Sequence, residues 1–196
     1  MLYIPRSISI IAALLCVTAS VAAAQRPQTR EGFWISLGTG LGVATFGCKG
    51  CNSFASELKG IGPTAHLRLG GTFSEKVLIG LEVNAWTKSA SGVRSAAGVL
   101  TSVFWIYPRA PERFFFKIGL GPAAYRSDDG TDTYTSLGYS LIGGVGWDHR
   151  IGRMVSISPV INVAWGGIGD YRRNDVLVAN AFRQAWIEFG AGLTFH

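Results

Sequence analysis

From Phe33 onward every second residue is bulky and apolar while its neighbours are nearly bare. Phe33, Ile35, Leu37, Leu41 and Val43 fall on one face of an extended chain, and Ser36, Gly38, Gly40, Gly42 and Ala44 on the other. A period of two places successive side chains on opposite faces of a strand. The same period returns at Val77, Ile79, Leu81, Val83, Ala85, at Ala65, Leu67, Leu69, and at Leu137, Tyr139, Leu141, Gly143, Val145, Trp147. It returns again over residues 114–125, 155–165 and 185–195, whereas residues 99–107 are apolar on both faces.

These segments predict eight strands of about ten residues, the length a tilted strand needs to cross a bilayer. Residues 25–196 hold no run of about 18 apolar residues, so membrane-spanning helices are excluded there. Yet hydrophobic residues make up 48% of the chain and charged ones only 15%, against roughly 25% in an average soluble domain. Longer polar or Gly-rich connections are expected at 45–60, 88–94, 126–136 and 166–184. Tight turns are expected at 71–76, 108–113 and 148–153. This alternation predicts an all-β, eight-stranded antiparallel up-and-down transmembrane β-barrel with both termini at the tight-turn end. A soluble barrel would turn its apolar face inward. Here the bulk lies on one face and small side chains on the other, which suits a narrow lumen surrounded by lipid.

Aromatics expected at strand ends, Phe33, Trp105, Tyr107, Phe114, Trp147, Trp165 and Phe195, form a predicted girdle at the two membrane interfaces. Trp105-Ile106-Tyr107-Pro108 ahead of a tight turn, Phe114 to Gly121 behind it, and the closing alternation to Phe195 resemble the small eight-stranded outer-membrane barrels of Gram-negative bacteria, the OmpA transmembrane domain and OmpX type. The resemblance implies an outer-membrane location and a monomer. It also implies contact with outer-membrane lipids and lipopolysaccharide, and an assembly machinery that reads a terminal aromatic. Here His196 follows Phe195, so that aromatic is penultimate.

Inward positions near the tight-turn end, Trp34, Leu78, Ile106, Phe115 and Met154, are expected to build an apolar floor. Above it Arg68, Glu82, Lys117 and Glu188 are of a kind rarely tolerated facing lipid and are expected to pair across the lumen. Of the three His, His66 points into the lumen, where hydrogen bonding is its expected role, while His149 falls in a turn and His196 at the terminus. No catalytic, metal or cofactor site is expected. Asp128, Asp129 and Asp132 lack the spacing and closing Glu of an EF-hand calcium loop. Cys48 and Cys51, in the first long connection of an exported chain, are expected to form a local disulfide.

Residues 1–24 read as a secretory leader: Arg6 gives a positive start, residues 10–17 an apolar core, and Ala22-Ala23-Ala24 a cleavage site before Gln25. The barrel domain is then 25–196. The net charge is +6, but the 18 Lys and Arg are scattered, so no nucleic-acid partner is expected. The functional expectation is a plugged barrel with a structural or surface-interaction role, its long loops meeting an extracellular ligand. The alternatives are a narrow channel for small hydrophobic molecules and a lipid-modifying enzyme using a rim His.

Overall fold

The computed structural model describes residues 32–48, 59–109, 113–152 and 154–196. The expected leader and Cys51 lie outside these residues. The elements in chain order are β1 (Phe33–Gly47), β2 (Gly60–Ser74), β3 (Val77–Ala90), β4 (Val93–Ile106), β5 (Phe114–Asp128), β6 (Thr133–Trp147), β7 (His149–Arg150), β8 (Val155–Arg173) and β9 (Val176–Phe195). All pairings are antiparallel. Because β9 pairs with β1 and β6 with β8, the eight long strands close into a ring. The short β7 continues β6 past Asp148 on the same edge of β8, opposite Ile157 and Ser156.

The register fixes the dimensions. Ile35 leads through Leu69, Leu81, Ser102, Leu120, Leu141, Trp165 and Ala185 to Thr45, ten positions further along β1. With a rise of about 3.3 Å per residue and strands about 4.8 Å apart, that stagger tilts the strands by about 40° around a backbone radius of about 8 Å. Such an interior is just wide enough for side chains to fill.

Bulky apolar side chains point outward on every long strand, among them Leu41, Leu81, Ile118, Leu141, Ile161 and Phe189. Ser, Asn, Glu, Lys and Arg side chains are buried inside, including Ser36, Asn84, Glu82, Lys117 and Arg68. This is the polarity of a membrane barrel and the reverse of a soluble one.

The strands run longer than the ten residues expected, from 14 in β3 and β4 to 20 in β9. Most of residues 166–184, expected as a long loop, continue β8 and β9. Their hairpin closes at Asn174 and Asp175, both at positive φ (46° and 67°), the conformation a two-residue turn needs to match strand twist. Ser91 and Gly92 close β3–β4 in the same way (φ 52° and 81°). About ten tilted residues suffice to cross an apolar band about 25 Å tall. The β8–β9 hairpin therefore projects roughly 20 Å beyond it.

Leu81 is exposed on the outward face near the middle of the apolar band, and Ser89 lies outward near the end of the same strand. Leu81→Arg is expected to cost about 2–4 kcal/mol and Ser89→Arg about 0–1 kcal/mol. Denaturant titrations in lipid vesicles measure both, and equal losses would contradict the placing of Leu81 in the middle of the band and Ser89 near its border.

Candidate functional site

Three tiers of side chains fill the lumen. At the turn end Trp34, Leu78 and Phe115 are buried with Trp105 and Tyr107. The Trp34 and Trp105 rings meet edge to face at 4.7 Å, and Tyr107 packs 5.5 Å from Phe115. Tyr107 Oη donates to Asp148 Oδ2 at 2.6 Å, and Ser158 Oγ donates to Asp148 Oδ1 at 2.6 Å. A cavity of about 20 Å³ lies among these residues, room for about one water.

This tier corrects four expectations. Ile106 (43% exposed) and Met154 (65%) face outward and do not belong to the floor. Trp105 and Tyr107, each 3% exposed, point inward and do not belong to the girdle. The register supplies the reason for β4: the inward Leu78 stands opposite Trp105, so Ile106 shares the outward face of Val77. Met154 precedes β8, so the period of two does not govern it. Its carbonyl accepts a hydrogen bond from the His196 amide at 2.9 Å. Phe33, Trp147, Trp165 and Phe195 are exposed on the outer surface, and Phe114 packs between Phe116 and Trp147.

The middle tier carries the charge. Glu82 accepts from Lys117 Nζ at 2.5 and 2.7 Å, and Arg68 Nε lies 3.2 Å from its Oε2. Beside it Glu188 Oε2 accepts from Asn84 Nδ2 at 2.5 Å and Asn162 Nδ2 at 2.8 Å, while His66 Nδ1 stands 3.0 Å from Oε1. Trp186 Nε1 donates to Asn84 Oδ1 at 3.2 Å. The four charged residues thus form two clusters: Glu82 between two cations, and Glu188 within a set of donors. Glycines make room for these groups. A Cβ at Gly38 would lie 2.0 Å from His66 Nε2, and one at Gly144 would lie 2.7 Å from Asn162 Oδ1 and 2.9 Å from Lys117 Cε.

The third tier, at the hairpin end, was not anticipated. Phe46, Trp86, Tyr125, Tyr134, Tyr171 and Phe182 form a buried aromatic cluster. Tyr171 stacks on Phe182 at 4.9 Å and Tyr134 on Tyr171 at 5.6 Å, while Phe46 lies 4.9 Å from Tyr125. The signal was present, since Phe46 and Tyr125 keep the inward parity of Trp34 and Phe115. Above this cluster Arg173 pairs with Asp132, and Asn174 Nδ2 donates to Asp132 Oδ1 at 2.7 Å. The hydrogen bond from Arg173 holds the Asp132 carboxyl below its ordinary range. The β8–β9 tip is thereby tied to the β5–β6 connection. Cys48, at the end of β1, is disulfide-bonded.

No protein-family model matches the chain, and no curated protein matches it in sequence. Solved structures do. Neisserial surface protein A superposes with a TM-score of 0.52 at 15% identity over 86% of this chain and 99% of that one. Ail, the attachment invasion locus protein of Yersinia pestis, solved with the heparin analogue sucrose octasulfate, gives 0.50 at 9% identity over 84% and 99%. The chain has the fold of a small outer-membrane β-barrel. At such identities the likeness extends to architecture alone.

Removing the Glu82 carboxylate leaves Arg68 and Lys117 facing each other inside the barrel. Glu82→Ala is expected to destabilise by about 3–5 kcal/mol, because truncating one member of a buried charge cluster strands the others. Adding Lys117→Met should restore part of the loss. Urea titration of the refolded variants measures both, and a neutral Glu82→Ala would remove that carboxylate from its role as counter-charge.

Proposed function

We propose that this chain is an outer-membrane barrel closed along its lumen, acting at its hairpin end as a surface-interaction protein. The observation that carries this reading is the filled interior: Glu82 sits between Arg68 and Lys117, with a ring cluster on either side of that charge layer. A lumen of about 8 Å backbone radius occupied in this way leaves its bulk to seal the wall and stiffen it. What remains available to a partner lies outside. The β8–β9 hairpin carries Val176, Leu177 and Val178 exposed near its tip, and its tie to the β5–β6 connection gives two hairpins one shared outer surface. Export through the leader at 1–24, cleavage after Ala24, a local Cys48–Cys51 bridge and recognition of Phe195 by an assembly machinery belong to the same reading.

A channel for small hydrophobic molecules ranks second, because it must move both ring clusters aside. A lipid-modifying enzyme ranks third. It needs a His near the outer rim, whereas His66 is engaged with Glu188 in mid-lumen and His149 and His196 lie at the turn end.

Purified protein in planar bilayers is expected to give no steady conductance, and a large stable open state would promote the channel reading. On an array of glycans and extracellular matrix proteins, folded protein should bind through its hairpin end. Shortening β8–β9 to end at the level of Asp170 should abolish that binding while heat-modifiable gel migration persists. Unchanged binding by the shortened variant would contradict the hairpin's role.

A further inference from the structure

The outward faces of three strands share a feature that the filled lumen does not explain. On β5, Phe116, Ile118, Leu120, Pro122 and Ala124 lead without a charge up to Arg126. On β9, Phe189, Ile187 and Ala185 lead up to Arg183, and on β4 Phe104, Ser102, Leu100, Gly98 and Ala96 lead up to Arg94. All three arginines are exposed and keep the outward parity of their strands. The hydrogen-bonded register climbs ten residues around eight strands. Corrected for that slant, the three arginines fall within about one residue of the same height. They mark the upper border of the apolar band on three strands.

Their pairing state matters as much as their position. Among the described residues none of the three has an ion-pair partner, although Arg94 stands opposite Asp128 across the ladder. Asp128 instead accepts from the Gly130 amide at 2.9 Å and from Thr133 Oγ1 at 3.2 Å. Arg172 lies on the same line as Arg126, with Thr135 between them, two strand spacings or about 10 Å away. It is loosely associated with Asp170 at 3.8 Å, both side chains about half exposed.

We propose that Arg94, Arg126 and Arg183, joined by Arg172, form a collar that binds phosphate groups of the lipid leaflet surrounding the hairpin end. The inference rests on the outer-membrane reading, which makes that leaflet the lipopolysaccharide layer. Three physical facts favour this occupant. A lipid headgroup is the only ligand held at this height by the same apolar band that positions the arginines. The guanidinium fork presents paired donors that match a phosphate bidentately, and its long stem lies along the apolar surface while the head reaches the polar layer. Cations beside an anionic membrane surface also gain attraction that falls off within a Debye length, so contact height decides the effect.

The test uses full-length folded protein in a nonionic detergent and three probes: the phosphorylated lipid anchor of lipopolysaccharide, the same anchor dephosphorylated, and inorganic phosphate. The unmutated protein is expected to bind the phosphorylated anchor at least tenfold more tightly than the dephosphorylated one, with the difference shrinking as salt rises. In R94A/R126A/R183A that preference should vanish, while the three Arg→Lys replacements should keep most of it. Each single Ala variant should lose severalfold, which keeps the test open if the triple variant folds poorly. Heat-modifiable migration checks folding throughout. An undiminished preference in the triple Ala variant, or equal binding of the two anchors by the unmutated protein, would overturn the collar. Displacement of the anchor by equimolar inorganic phosphate would also overturn it, since the arginines would then be a free-anion site. Location is read separately by fractionation: a barrel in the outer membrane without phosphate preference sinks the collar alone, and a barrel found elsewhere sinks the location alone.

Discussion

Closure of the sheet governs everything else in this molecule. In hydrocarbon no water satisfies a free backbone N–H or C=O, so a sheet survives there only if its first and last strands meet. Here β1 pairs with both β2 and β9, and β8 bridges β6 to β9. The ten-residue stagger that this closure imposes sets the tilt, the tilt sets the radius, and the radius sets how much side chain the lumen holds. The bare inner face of β1 follows, because its glycines lie under rings from the next two strands, His66 of β2 over Gly38 and Trp86 of β3 over Gly42.

The inside-out polarity follows from the same solvent. Outward positions meet lipid and must be apolar, so charge retreats to the lumen, where it must find partners or be stranded. Glu82 and Glu188 answer that demand differently. The first is neutralised by two cations, and the second is held by amide and imidazole donors with its neighbour cluster close by. A buried pair is weak evidence for net stability. What the arrangement does supply is a filled cross-section with few ways to rearrange.

Where lipid contact dictates the pattern, the chain could be read in advance. The outward series of β1, β3, β6 and β9 are lipid-facing because each alternates bulk with small residues, and Arg68, Glu82, Lys117 and Glu188 could hardly face outward. The reading fails where that constraint relaxes. Residues 99–107 are apolar on both faces, so nothing local distinguishes Trp105 from Ile106, and pairing with β3 decides between them. The outermost parts of β8 and β9 stand beyond the apolar band, where Arg172 and Arg173 on one strand and Val176, Leu177 and Val178 on the other are exposed on both faces and alternation fades. They remain strands because their backbones pair with each other and not because of their side chains. The bulges near Gly169 and Tyr171 further scramble the parity. The aromatic cluster at the hairpin end escapes that reading for a related reason: Phe46, Tyr134, Tyr171 and Phe182 lie in segments expected as connections, while Tyr125 closes one of the alternating runs.

The central claim is that this chain lives in a bilayer with its apolar face outward, and fractionation of cells expressing it, followed by electrophoresis of unboiled and boiled samples, tests it most directly. The account predicts recovery in the outer-membrane fraction, with the unboiled protein migrating faster than the boiled one. Recovery in the soluble periplasmic fraction, with a single heat-independent mobility, would contradict it.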